Sequence, residues 1–310
     1  MHATHSLDVR GPFSLGLTVT ALRRLPTNVV DLLTPDGVYL RMLAGAHGSM
    51  VVRVTQPHRQ RLLVGVEADI RDHPTARARV RRMLGVERDL TVFNRAAARI
   101  PWLAPLAKRM RGVRPPRYPT LWEACVNAIV FQQVSLVAAS AIVRRLLLQL
   151  SNTREIDGIT LREFPNAESI LEADDHLARE VGLSNSKWTT LQRVAEAIAT
   201  GALNEEILEE RNSRDAATLL QRIRGIGPWT ATVILLRGLG RLDVFPMNDS
   251  SVARNLALVA HRTPIDVDAT LEALGEQRGM LYYHLLLARL DAQNGVRSSS
   301  SEHPHHSSSH

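Results

Sequence analysis

The run Ile223-Arg224-Gly225-Ile226-Gly227-Pro228-Trp229-Thr230-Ala231 constrains this chain more than any other stretch. A helical pattern ends near Ile223, with Asp215 as the expected cap at its start. Two glycines one residue apart then free the backbone for a tight reversal and for close approach by another molecule. Pro228 follows where a missing N–H costs nothing, at the first position of a new helix. The run therefore predicts helix, hairpin, helix, with Ile223 and Ile226 as the apolar contacts between the two arms. Free amides at the second N-terminus would form an anion site, because the helix dipole and the unpaired N–H groups point the same way. An ordinary helical corner could use the same residues, and Gly-x-Gly alone does not separate the two.

One helix further on comes Asp249, at the start of the next helical pattern, with Arg254 five positions later. Asp is among the preferred helix caps, and capping is the competing reading of Asp249. Asp243 is a second carboxylate nearby, away from a cap position. From about residue 90 to the C-terminal region, helical periodicity is continuous and strand signals vanish. The longest pattern, 121–150, reads as one helix with a polar interruption at Gln132-Gln133. Further helices are predicted at 169–172, 175–181, 187–200, 215–223, 228–238, 250–261, 268–274 and 281–291. The first part has a different texture. Apolar runs at 13–17, 38–43, 49–55 and 61–66 read as strands between turn residues, and 18–25 and 75–84 read as helices. The expected fold class is mainly α: an all-helical core preceded by a smaller α+β domain with an antiparallel sheet. The expected organisation is an α+β domain at 1–90, a helical, basic linker at 91–117, the helical domain at 118–296 and a disordered Ser/His-rich tail at 297–310.

Two domains suit 310 residues. A formal charge of +7 and a pI near 10.4 favour a polyanionic partner, nucleic acid before membrane. The excess is arginine, since Lys108 and Lys187 are the only lysines, and guanidinium grips phosphate in a bidentate way. A single cysteine, Cys125, excludes an internal disulfide and a cysteine-ligated cluster. No apolar run is long enough to span a membrane, and the first residues lack the features of a secretory signal. The expectation is a cytoplasmic, nucleoid-associated monomer.

The hairpin 223–231, the Asp249 segment and the Asp249-x-x-x-x-Arg254 spacing resemble the helix-hairpin-helix DNA glycosylases, most closely the 3-methyladenine DNA glycosylase II (AlkA) type. The segment Ala128-Ile129-Val130-Phe131-Gln132-Gln133-Val134-Ser135 is similar to the part that enters the minor groove in that family. The resemblance implies a fold, an activity and a set of roles. Asp249 would be the catalytic aspartate, and Trp229 would stack on a flipped base in the pocket. Gln132 and Gln133 would fill or prop the gap in the duplex. The amides around Gly225, Gly227 and Thr230 would hold a DNA phosphate, often with Na+ or K+ at the hairpin, and Arg254 would add to the DNA contact. No tightly bound metal or cofactor is implied. The partner would be double-stranded DNA containing damaged bases. Trp229 stands where lyase-competent relatives carry a lysine, so the implied reaction is hydrolysis alone, in base excision repair. Val233 and Arg289 stand where aromatic walls are expected, which leaves the accepted bases open. A core role for Trp229, a non-catalytic DNA-binding protein and a glycosylase for other damaged bases are the alternatives.

Overall fold

The computed structural model describes residues 2–247, 250–259 and 265–300, with only the backbone of 250, 251 and 294–300. The N-terminal sheet has five strands, β1 (His2–Asp8), β2 (Leu32–Leu33), β3 (Tyr39–Gly45), β4 (Gly48–His58) and β5 (Arg61–Glu67). They lie in the order β1-β5-β4-β3-β2, with every pair antiparallel. Helices α1 (Leu15–Arg23) and α2 (His73–Met83) pack on one face of it over Val52, Val54, Leu62 and Val64. The strands expected at 38–43, 49–55 and 61–66 are present.

Two N-terminal expectations fail. The apolar run 13–17 reads as a strand, but helix α1 begins at Leu15, because the Ser14 hydroxyl accepts the Leu17 amide and caps it. The fourth long strand is His2–Asp8, where alternating small and polar residues hide the pattern but the whole length pairs with β5.

The helical part contains α3 (Thr91–Ala97), α4 (Ala104–Arg109), α5 (Leu121–Val130) and α6 (Leu136–Leu150), then a hairpin of β6 (Thr153–Ile156) and β7 (Ile159–Arg162). After it come α7 (Glu168–Leu171), α8 (His176–Val181), α9 (Asn185–Ala199), α10 (Glu205–Glu209), α11 (Ser213–Gln221), α12 (Pro228–Ile234), α13 (Ser250–Val259), α14 (Val267–Leu274) and α15 (Met280–Ser300). The single helix expected over 121–150 is two, broken at 131–135, where Ser135 caps α6. Strand signals do not vanish after residue 90. The β6–β7 hairpin lays Leu161 against Leu40, Met42 and Val51 on the second face of the sheet, which is why β3 is buried on both sides from Tyr39 to Leu43, Arg41 included. Asn212, not Asp215, caps α11, and Asp215 supplies the amide it receives. Helix α15 continues to Ser300, into the segment expected as tail; 301–310 lie outside the described residues.

Two helical cores meet side by side. One surrounds α5, α9 and α12 and the other α13, α14 and α15, with Phe131 packed against both. Helix α5 approaches the π-helical turn 235–239 so closely that a Cβ on Gly238 would sit 2.7 Å from that of Ala124. The N-terminal domain is bolted on by buried charge. Arg41 on β3 bonds Asp31 at 2.8 Å and Glu123 of α5 at 2.5 Å, and Tyr39 donates to the same Asp31. Burial raises the Glu123 carboxyl above its ordinary value while Arg41 pulls it back. Removing one member of such a cluster would leave the others charged and unpaired, which is the costly way to break it.

Candidate functional site

The junction between the two helical cores opens into a cleft of about 870 Å³. Its walls are the break between α5 and α6, the hairpin before α12, helix α13 and helix α15. Gln132, Gln133, Gly225, Gly227, Trp229, Thr230 and Arg254 all line it. Residues distant in sequence but assigned to one site by resemblance thus share one cavity. Asp249 lies outside the described residues; α13, which starts at the next position, sends Val252, Arg254 and Asn255 into the same cleft.

The hairpin is built as its glycines require, but each acts differently. Gly225 has φ +107°, and a Cβ there would lie 2.0 Å from Thr190 Oγ1. It is needed for the turn itself. Gly227 has φ −90° and ψ 179°, an extended geometry open to any residue, and a Cβ there would meet nothing within 4 Å. Of the two glycines expected to free the backbone, only Gly225 uses a positive φ. What Gly227 leaves is free space in front of the α12 N-terminus, where no side chain caps the amides. Pro228 occupies the first helical position as expected. An anion fits there.

The Ile223, Arg224 and Gly225 carbonyls accept from the Ile226 amide, Arg193 and Gln132, and each keeps a second lone pair. Among the described residues no cluster of three His, Cys, Asp or Glu could hold a metal.

Gln132 and Gln133 part company. Gln132 Nε2 donates to Gly225 O at 3.0 Å and to Thr230 Oγ1 at 2.7 Å, tying the α5–α6 break to the hairpin. Gln133 has φ +53° and is exposed, next to the exposed Val134. One glutamine props the site, and the other stands at its tip. Thr230 is itself buried, and its hydroxyl already accepts from Gln132. Trp229 is half-buried against the α5–α9–α12 core with an unpartnered, buried Nε1. It serves the core and the cleft wall together. Val233 is buried away from the cleft, whereas Arg289 lines it.

Several functional positions carry weak sequence signals. Lys187 Nζ reaches back to Val130 O at 2.8 Å and Gln132 O at 2.7 Å, closing the end of α5 and fixing the break. Burial lowers its pKa from the ordinary lysine value. Lys187→Met keeps the aliphatic stem but strands both carbonyls. It is expected to lower stability by about 1–3 kcal/mol, read as a lower urea midpoint at unchanged slope; an unmoved midpoint would show that the ammonium does not hold the loop. Phe131, Asn255, Tyr282 and Arg24 also line the cleft. Phe131 and the Tyr282-Tyr283 pair are visible in the sequence as aromatics beside the motifs, but nothing local marks Arg24.

A family model described as "HhH-GPD superfamily base excision DNA repair protein" matches residues 126–277, the segment that supplies most of this cleft. The chain carries an HhH-GPD domain. A second model, described as "AlkA N-terminal domain", matches residues 4–119, so the chain also carries the N-terminal domain seen here as sheet, α1 and α2. It is 33% identical over 239 residues to a probable bifunctional transcriptional activator/DNA repair enzyme AlkA of Mycobacterium tuberculosis, a match covering 75% of this chain and 47% of that one. It is 28% identical over 167 residues to a DNA-3-methyladenine glycosylase of Bacillus subtilis, covering 54% and 55%. The chain thus spans about half the length of these curated relatives. Among solved structures, the 3-methyladenine DNA glycosylase of Archaeoglobus fulgidus shares the fold, with a TM-score of 0.78 at 24% identity over 92% of this chain and 98% of that one. The lone Cys125 is buried inside α5. Among the described residues no helix is long and apolar enough to cross a membrane.

Proposed function

We propose that this protein is a monofunctional DNA glycosylase that hydrolyses the N-glycosidic bond of alkylated bases such as 3-methyladenine, initiating base excision repair as a monomer at the nucleoid. The convergence of the uncapped α12 N-terminus, the Gln133 tip, Trp229 and α13 on one cleft carries this reading. Chemistry on a base inside a duplex requires turning the nucleotide out of the stack, which costs a few kcal/mol, less at a damaged pair. The α12 amides grip a phosphate beside the lesion, Gln133 enters the vacated step, and the base enters the cleft against Trp229. Alkylation at a ring nitrogen makes the base cationic, a better leaving group and a better partner for an aromatic face. Bond cleavage leaves positive charge on the deoxyribose, which Asp249 stabilises while it orients or deprotonates water. A leaving group that is already charged needs no general acid, and no cofactor enters the reaction.

Incubation with dimethyl-sulfate-treated duplex DNA, followed by chromatography of the free bases, tests the activity. Release of methylated bases with an intact abasic site left behind is expected. Borohydride added during turnover should trap no protein–DNA adduct, because Trp229 occupies the lysine position and Lys187 is committed to two carbonyls. An adduct would make the enzyme bifunctional, and binding without any base release would make the chain a non-catalytic DNA-binding protein.

A further inference from the structure

Arg24 ends α1, in the N-terminal domain, yet its side chain lines the cleft of the helical domain. Its backbone has φ 63° and ψ −75°, with the Leu25 amide bonded to Arg23 O, a positive-φ γ-turn that is strained for any residue with a Cβ. Arg237 holds the turn from the other domain, donating from Nη2 to Ala21 O and Leu22 O. The Arg24 guanidinium lies 3.8 Å from the centroid of the Phe131 ring, and its Nη2 makes a long, 3.5 Å contact to the Tyr282 hydroxyl. Arg24 is 5% exposed, and its Nη1 has no protein partner. Strain of this kind persists where the surroundings over-determine it, and it clusters at functional sites. Nη1 is buried without a hydrogen-bond partner, as are eight other guanidinium nitrogens among the described residues, so the donor left for the cleft is Nη2, held only by its long contact to Tyr282.

We propose that Arg24 is a specificity-determining residue of the base pocket that favours alkylated purines presenting an exocyclic carbonyl, such as 7-methylguanine, over those presenting an amino group, such as 3-methyladenine. This rests on the glycosylase reading of the cleft. Guanidinium has donors only. It pairs with O6 of guanine, while the corresponding N6 of adenine is itself a donor. Both methylated bases are cations, so repulsion from Arg24 applies to each and cancels in the comparison. For a donor held at the position-6 edge, what remains is the exocyclic group. The Phe131 face under the guanidinium fixes its plane, and the strained turn fixes its position. The N-terminal domain thereby contributes directly to base choice.

Dimethyl sulfate produces both lesions in one DNA preparation, so one chromatographic run gives the ratio of 7-methylguanine to 3-methyladenine released, with rates taken at limiting enzyme. Arg24→Met keeps the stem and removes the donors. It should lower the 7-methylguanine rate about tenfold while 3-methyladenine release changes by less than about threefold, a loss of roughly one hydrogen bond to a charged donor. Arg24→Lys should restore part of the ratio. Should Arg24→Met fold poorly, Arg24→Gly removes the same donors at a position where positive φ suits glycine, and the same fall in the ratio is expected. An unchanged ratio, whether both rates drop together or neither moves, would reduce Arg24 to a structural element and overturn the proposal. Wild-type protein releasing neither base would instead remove the glycosylase reading beneath it.

Discussion

Asp249→Asn is expected to lower base release by about two to three orders of magnitude, roughly 3–4 kcal/mol of barrier, while binding to abasic-site duplex and thermal stability stay close to wild type. The size follows from the chemistry. A sugar that develops positive charge in the transition state is stabilised by a full negative charge held close to it, and an amide offers only a dipole. The isosteric change also separates the two readings of this position. Asn caps a helix as well as Asp does, so a pure cap at the start of α13 would tolerate it in every assay. Single-turnover release from methylated DNA, measured beside a melting curve, decides between them. Activity within about tenfold of wild type would leave Asp249 as a cap and require another carboxylate for the chemistry.

Asp249 also illustrates how much of the site is legible in the sequence. Its candidacy comes from spacing and resemblance, which are properties of the chain. The same motifs single out Gln132, Trp229, Gly225, Gly227, Thr230 and Arg254, and the fold gathers all six around one cleft. Helix positions are readable because periodicity and caps are local: α9, α11, α13 and α14 lie within a few residues of expectation. The failures share a cause. Strand β1 and the β6–β7 hairpin form because distant partners exist, the first in β5 and the second in the open face of the sheet, and no periodicity in their own residues announces that. Ser14 and Ser135 each break an apolar run by capping a helix, where hydrophobicity alone reads straight through. Arg24 is the extreme case, since its approach to Phe131 depends on how two domains dock. Motifs reveal the parts of a site shared with relatives, and tertiary reach decides the remainder.

The two hairpin glycines are expected to respond in opposite ways, and the contrast tests the grip on DNA more sharply than either alone. Gly225→Ala imposes a side chain at φ +107° and drives its Cβ into Thr190, so the fold should lose about 2–5 kcal/mol from backbone strain and overpacking together. Its DNA binding then reports a damaged hairpin. Gly227→Ala asks the cleaner question. Its backbone is extended and no protein atom lies within reach of the new methyl, so stability should change by less than about 1 kcal/mol. The methyl instead occupies the space in front of the α12 amides, where a phosphate has to come close. Affinity for abasic-site duplex should fall about tenfold, and to the same degree on unrelated sequences, because phosphate contacts carry no sequence information. Wild-type affinity should drop steeply with salt, as counterion release requires, and the variant's slope should be shallower by about one phosphate contact. A Gly227→Ala protein that is fully folded and binds with unaltered affinity and salt slope would mean that the hairpin only turns the chain, and the phosphate must then be held elsewhere on this arginine-rich surface.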